Sequence, residues 1–130
     1  MKNEIVTWED LKKHKDSSSA GISGYSSYEY SVYFSNDVPY HIGRSLLAKA
    51  KIWQIIEAGW GGNITQEEWK DLSIKKFTIV YDVIADRLNM SVVDCKTKHG
   101  FPAFRNEDDA IRFMEKNEKL LLEYYEQYHD

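Results

Sequence analysis

The sequence predicts an α+β domain, a small antiparallel sheet of three or four strands with two main helices packed on one face. Three observations predict it. Apolar residues recur near helical spacing over 42–58 and 107–128. They alternate with polar residues over 77–81 and 90–95, close enough to pair as a hairpin. A chain of 130 residues, 42% hydrophobic and 29% charged, can bury one core but not two. Residues 1–130 therefore read as a single domain, with a short N-terminal helix in 1–16, a flexible Ser/Gly-rich loop at 17–27 and the α+β core in 28–130.

Thr7 opens a short helix over 7–14. Its hydroxyl can accept a bond from the orphan amide of Asp10, and Glu9 and Asp10 suit the positive end of the dipole. Two turns do not hold alone in water, so Trp8 and Leu11 are expected to dock on another element. Six serines (Ser17, Ser18, Ser19, Ser23, Ser26, Ser27) with Gly21 and Gly24 then form a linker-like stretch that has little to bury. Tyr28, Tyr30, Val32 and Phe34 alternate with Glu29, Ser31 and Tyr33 as a strand, Ser35-Asn36-Asp37 turns the chain, and Pro39 ends the pattern.

On the first main helix, Leu46, Leu47, Ala50, Trp53, Ile56 and Ala58 make the buried stripe, and Gly59 supplies a left-handed stop. Thr65-Gln66-Glu67-Glu68 matches a capping box for a helical turn carrying Trp69. Phe77, Ile79 and Tyr81 face one side of the next strand, with Thr78 and Val80 on the other. Met90, Val92 and Asp94 alternate with Ser91, Val93 and Cys95, leaving Asp82–Asn89 as a long hairpin loop. Phe101-Pro102-Ala103-Phe104 adds an edge strand, since Pro102 cannot donate to a ladder. Asn106 caps the last helix, with Glu107, Asp108 and Asp109 in its first turn and Ala110, Phe113, Met114, Leu121, Tyr124 and Tyr128 on one face. The predicted core is Leu46, Leu47, Ala50, Trp53, Phe77, Ile79, Val93, Phe104, Ala110, Phe113, Met114 and Leu121.

Composition narrows the function. A net charge of −4 and a pI near 5.6 disfavour nucleic-acid binding, which needs a cationic face. Cys95 is the single cysteine, so an internal disulfide and a cysteine-rich zinc site are excluded, and a reducing compartment suits the chain. The start has no apolar run after Lys2, and no stretch approaches about 18 uninterrupted apolar residues, so neither a secretory signal nor a membrane span is expected. A cytoplasmic location is expected.

Candidate chemistry is sparse. His14, His41, His99 and His129 make no pair at helical metal-binding spacing, and Cys95 with His99 offers two of the four ligands that structural zinc wants. Cys95 lies between the opposite charges of Asp94 and Lys96, without the activating base that a nucleophile needs. Ser45 has no nucleophile elbow around it, and Gly59-Trp60-Gly61-Gly62 lacks the Gly-Lys-Ser/Thr of a phosphate loop. A metal-dependent or hydrolytic enzyme built on Asp82, Asp86, Asp94, Cys95 and His99 is the rival reading. No catalytic, metal or cofactor residue is assigned.

Two features point to binding instead. Four tryptophans, nine tyrosines and five phenylalanines exceed what one small core needs, and Tyr40 and Trp60 fall in segments that read as exposed. Residues 107–130 hold eight acids against Arg112, Lys116 and Lys119, a net of −5, so the rest of the chain carries +1. Such a surface would complement a basic groove on a partner. The partner-binding residues predicted from these features are Asp108, Glu115, Glu118, Glu126, Trp60 and Tyr40. A protein partner is expected, and a homo-oligomer is left open.

The stretch Lys49-Ala50-Lys51-Ile52-Trp53-Gln54-Ile55-Ile56-Glu57-Ala58-Gly59-Trp60, the turn Glu67-Glu68-Trp69-Lys70-Asp71, the strand Lys76-Phe77-Thr78-Ile79 and the run from Gly100 through Phe104 to Ala110 and Leu121 follow one another in a distinctive order. Over about 45–125 the chain resembles a group of small proteins encoded by phages and prophages of gut Bacteroidota, with a helix, hairpin and helix core. The group has no established activity or catalytic residues. The resemblance implies a mobile-element protein that acts by binding, either as an inhibitor of a host protein, including a defence protein, or as a virion accessory part.

Overall fold

The computed structural model describes residues 5–17, 40–93 and 101–126, and its elements fall into two compact units. One comprises Met1–Gly62 with Lys119–Asp130, the other Asn63–Glu118. The expected strand at 28–34 and the loop at 18–27 lie outside the described residues.

The first unit begins with helix α1 (Trp8–Ser17), longer than the 7–14 expected. Its start is as the sequence implies. The Asp10 amide donates to the Thr7 hydroxyl at 3.3 Å, and the Thr7 amide donates back to the Asp10 carboxylate at 3.0 Å, so two orphan donors are satisfied reciprocally. Trp8 and Leu11 are buried, and α1 packs on helix α2 (Tyr40–Gly59). Lys51 Nζ lies 5.4 Å from the centre of the Trp8 ring.

The buried stripe of α2 is not the one expected. Ser45, Ala48, Ile52, Ile55 and Ile56 are buried, whereas Leu46 is 47% and Trp53 50% exposed, and Leu47 and Ala50 are half-buried. Apolar residues occur on more than one face of this helix, so spacing alone admits two phases. The small Ser45 and Ala48 and the β-branched isoleucines form the face that is buried. Nor does Gly59 act as a left-handed stop. It is the last helical residue, and the positive φ angles fall at Gly61 (82°) and Gly62 (85°), where the Gly62 amide reaches back to the Ile56 carbonyl at 3.2 Å. What Gly59 supplies is room, because a Cβ there would sit 1.9 Å from the Ile5 carbonyl oxygen.

In the second unit a short helix, α3 (Gln66–Lys70), starts on the full capping box of Thr65 and Glu68. Strands β1 (Phe77–Asp82) and β2 (Arg87–Val92) pair antiparallel in unbroken register from Phe77↔Val92 to Asp82↔Arg87. The hairpin loop is therefore 83–86, much tighter than Asp82–Asn89, and the second strand begins earlier than the alternation suggested. Strand β3 (Ala103–Phe104) joins the other side of β1, giving the order β2-β1-β3, with β3 as the expected edge. Helix α4 (Glu107–Lys116) lies on this sheet, with Phe113 and Phe104 rings 5.2 Å apart. Within its unit α4 covers the sheet, and within the other unit α2 packs with α1. Ile79, Val93, Phe104, Ala110 and Phe113 are buried as predicted; Phe77 and Met114 are half-buried.

The long C-terminal helix is broken. Asn117 ends α4 with φ −126° and ψ 32°, and helix α5 (Glu118–Tyr125) begins anew. Asn117 is buried, its amide 2.9 Å from the Phe113 carbonyl and its Nδ2 3.4 Å from the same oxygen. A short amide side chain that competes for a helix carbonyl favours such an interruption. In the first unit the α5 residue Leu121 is fully buried, and the Ser45 hydroxyl donates to the Tyr124 carbonyl.

Candidate functional site

The residues expected to bind a partner divide between the two units: Tyr40, Trp60 and Glu126 belong to the first, and Asp108, Glu115 and Glu118 to the second. Tyr40 is 79% exposed at the first position of α2, with the Arg44 guanidinium 5.9 Å from its ring centre. Trp60 is buried, with only 8% exposure, which corrects the expectation that it is a surface aromatic. It follows directly on a helix whose buried face continues through Ile55 and Ile56, and glycines after it turn the chain.

Asp108, Glu115 and Glu118 are exposed, yet Arg112, Lys116 and Lys119 are exposed among them. Within α4, Arg112 stands four residues after Asp108 and three before Glu115, and Lys116 follows, so the outer face of this helix is mixed rather than acidic. Glu126 is half-buried and faces Arg44 Nε at 3.5 Å, beside the Arg44–Glu123 pair at 3.0 Å. That hydrogen bond from Arg44 to Glu123, reinforced by the nearby Glu126 charge, raises the guanidinium pKa. Glu126 thus serves a pair inside its own unit, and it converges with Tyr40 on Arg44.

The residues of the rival enzyme reading are committed to local structure where they are described. Asp82 Oδ1 accepts from the Ile84 and Ala85 amides, both at 3.0 Å, and these bonds, that from Ala85 foremost, hold its carboxyl below the usual range. Asp86 accepts from the Tyr81 hydroxyl, which raises the tyrosine pKa. Asp94, Cys95 and His99 lie outside the described residues. Among the described residues no group of three or more His, Cys, Asp or Glu side chains could hold a metal ion, and no helix is long and apolar enough to cross a membrane.

Those same bonds build the feature that sequence reasoning missed. Between Asp82 and Asp86 the hairpin turn presents Val83 and Ile84, which are 80% and 96% exposed. Asp82 pins two of the turn's amides, and Asp86 takes φ 56°, a left-handed conformation that a short polar side chain tolerates. The turn is closed by the Asp82↔Arg87 pair and the Tyr81–Asp86 hydrogen bond. Two adjacent β-branched apolar residues are thus held in water on a turn with few ways to move. The local signal was present: an aspartate two residues before Ile84 is the pattern of a side-chain-to-backbone turn. The expected loop, Asp82–Asn89, contained Val83 and Ile84 but was too long to single out the four-residue turn that holds them.

Set against known proteins, the chain matches no protein-family model, no curated protein and no solved structure.

Proposed function

We propose that the chain is a non-enzymatic protein-interaction protein that docks through its hairpin tip. The observation that carries the reading is the exposure of Val83 and Ile84 on a turn locked by Asp82 and Asp86. A turn backbone held in advance loses little conformational freedom on binding, so more of the burial of the side chains it carries is available as affinity. The flanking carboxylates rim the pair and favour a partner whose pocket is apolar with a basic border. The mobile-element setting rests on the sequence resemblance, within which the partner is a host protein to be inhibited, a defence protein included, or a component of the virion.

The test uses Val83→Ser/Ile84→Ser. These side chains touch solvent, so the melting temperature is expected to stay close to wild type. A protein that binds the wild-type chain from host lysate or from virions is expected to bind the double variant at least about tenfold more weakly. Unchanged affinity for the same partner overturns the tip as the docking site.

A second reading places docking on the acidic helix, and the exposure of Asp108, Glu115 and Glu118 favours it. Glu115→Gln/Glu118→Gln then slows association and flattens its salt dependence, because rim charges act chiefly on the on-rate. Unchanged association in low and high salt removes this reading and leaves the tip.

A further inference from the structure

Strand β2 ends the sheet on one side, and its outer edge has no partner among the described residues. The Val93 amide donates to the Lys76 carbonyl at 2.8 Å, which identifies that facing pair as hydrogen-bonded. In an antiparallel ladder hydrogen-bonded and non-bonded pairs alternate. Ser91, Asn89 and Arg87 therefore direct their backbone groups toward β1. Leu88, Met90 and Val92 direct their N–H and C=O groups outward. Edge strands are commonly protected by lysine, proline, a bulge or an inward charge. Along β2 the register is unbroken, there is no lysine or proline, and the sole charge is Arg87 at the hairpin end. At the other end Val92 is 56% exposed.

We propose that this edge pairs with the same edge of a second copy, antiparallel about a two-fold axis at Met90. That is the register in which all three outward residues pair with one another. Leu88 faces Val92 of the second copy, Met90 faces its own equivalent, and Val92 faces Leu88 of the second copy. Each such pair exchanges both of its backbone hydrogen bonds. The side chains are matched by the same operation. On the face carrying Leu88, Met90 and Val92, apolar residues meet apolar ones and the exposed Val92 gains a neighbour. On the opposite face Asn89 meets Ser91 of the second copy. Arg87 falls opposite Val93 of the second copy, so no like charges confront each other from residue 87 to residue 93. A two-fold contact of this kind uses one patch twice and closes. The two three-stranded sheets become one six-stranded sheet in the order β3-β1-β2-β2-β1-β3, and the two hairpin tips point in opposite directions. The pairing depends on the β2 edge and not on what Val83 and Ile84 bind.

Sedimentation equilibrium of the full chain over a concentration series tests the pairing. Wild type is expected to form a dimer and nothing larger. Met90→Lys and Met90→Glu each place like charges together at the axis, so each alone is expected to be monomeric, with the dissociation constant raised on the order of a hundredfold. An equimolar mixture of the two is expected to dimerise again. Should either variant lose its circular dichroism spectrum, Val92→Pro replaces it. Proline there removes an outward donor and leaves the β1 ladder intact, so a folded monomer is expected. A wild-type monomer at every concentration, a series of higher oligomers, a variant as dimeric as wild type, or a Lys/Glu mixture that stays monomeric overturns the proposal.

Discussion

Glu68 and Arg105, far apart in the chain, meet in a forked ion pair. Arg105 Nε donates to Glu68 Oε2 at 2.5 Å and Arg105 Nη2 to Glu68 Oε1 at 2.7 Å. Oε1 also accepts from the Thr65 amide at 3.0 Å, and Arg105 Nη2 donates to the Asn63 carbonyl at 3.1 Å. One carboxylate therefore completes the cap of α3 and ties it to the residue that precedes the cap of α4. This second unit is the one that carries the hairpin, so the pair helps to hold the frame behind the tip.

The pair makes stability depend on acid. The hydrogen bond from Arg105, followed by that from the Thr65 amide, lowers the Glu68 pKa from 4.5 to about 2. A depressed carboxylate contributes stability above its unfolded pKa and loses it as pH falls through the folded value. The contribution is therefore complete above about pH 5, fades between 4.5 and 2, and is absent below. Arg105 and Glu68 side chains are 33% and 22% exposed, so screening limits it to about 1 kcal/mol. Urea titrations of wild type and Arg105→Met check this. The gap between them is expected to narrow from pH 6 to pH 2.5, leaving the pH-independent share of the Asn63 contact and of packing. A gap that stays constant would mean that the pair contributes through packing alone.

The buried phase of α2 predicts opposite outcomes for neighbouring residues. Ile55→Ala removes a side chain with 0% exposure and is expected to cost about 2–5 kcal/mol. Trp53→Ala removes a larger side chain that is 50% exposed, and about 1 kcal/mol or less is expected. Chemical denaturation of both variants orders them, and a larger loss for Trp53 contradicts the helix phase described here.

Gly59→Ala is expected to loosen the N-terminal segment. The added methyl would lie 1.9 Å from the Ile5 carbonyl oxygen and 2.8 Å from its carbon, so backbone must move and the cost is about 2 kcal/mol or more. Gly62→Ala meets no such contact but adopts φ +85°, and its cost is the left-handed strain of about 1–2 kcal/mol. Hydrogen exchange separates the two mechanisms. The Leu11 amide, bonded to the Thr7 carbonyl at 3.2 Å, should lose protection in Gly59→Ala and keep it in Gly62→Ala.

Asp82→Ala removes the acceptor of two turn amides and is expected to cost about 1–2 kcal/mol. Its effect on binding is expected to differ from that of Val83→Ser/Ile84→Ser, because the apolar pair remains but is no longer held in place. Weaker binding with a larger entropic penalty in calorimetry is the expected signature of lost preorganisation. Wild-type thermodynamics in the Asp82 variant would show that the turn is not what positions the pair.

Among the site residues, exposure of Asp108, Glu115 and Glu118 was legible from the helical period, since they lie off the Ala110–Phe113 face. Trp60 was not, because composition ranks tryptophan as an interface residue without saying which neighbours cover it. Glu126 was not, because its partner Arg44 is on a distant helix. The break at Asn117 escaped the periodicity because Ala110, Phe113 and Leu121 are all fully buried on either side of it. A single interrupting residue does not disturb a repeat of that length.

What the sequence by itself determined is the set of features whose partners lie within a few residues. Thr7 with Asp10, Thr65 with Glu68 and Asn106 with Asp109 start their helices as the sequence implies, each bond closing within one turn. The alternation from Phe77 to Tyr81 and the proline-marked edge at Ala103–Phe104 are local in the same sense. Only the tertiary structure decided which stripe of α2 is buried and where the C-terminal helix breaks. Hydrogen bonds at a cap or along a repeat are satisfied by neighbours in the chain. Burial is set by which surface of another element arrives, and two stripes of similar hydrophobicity differ then only in how closely the partner backbone can approach.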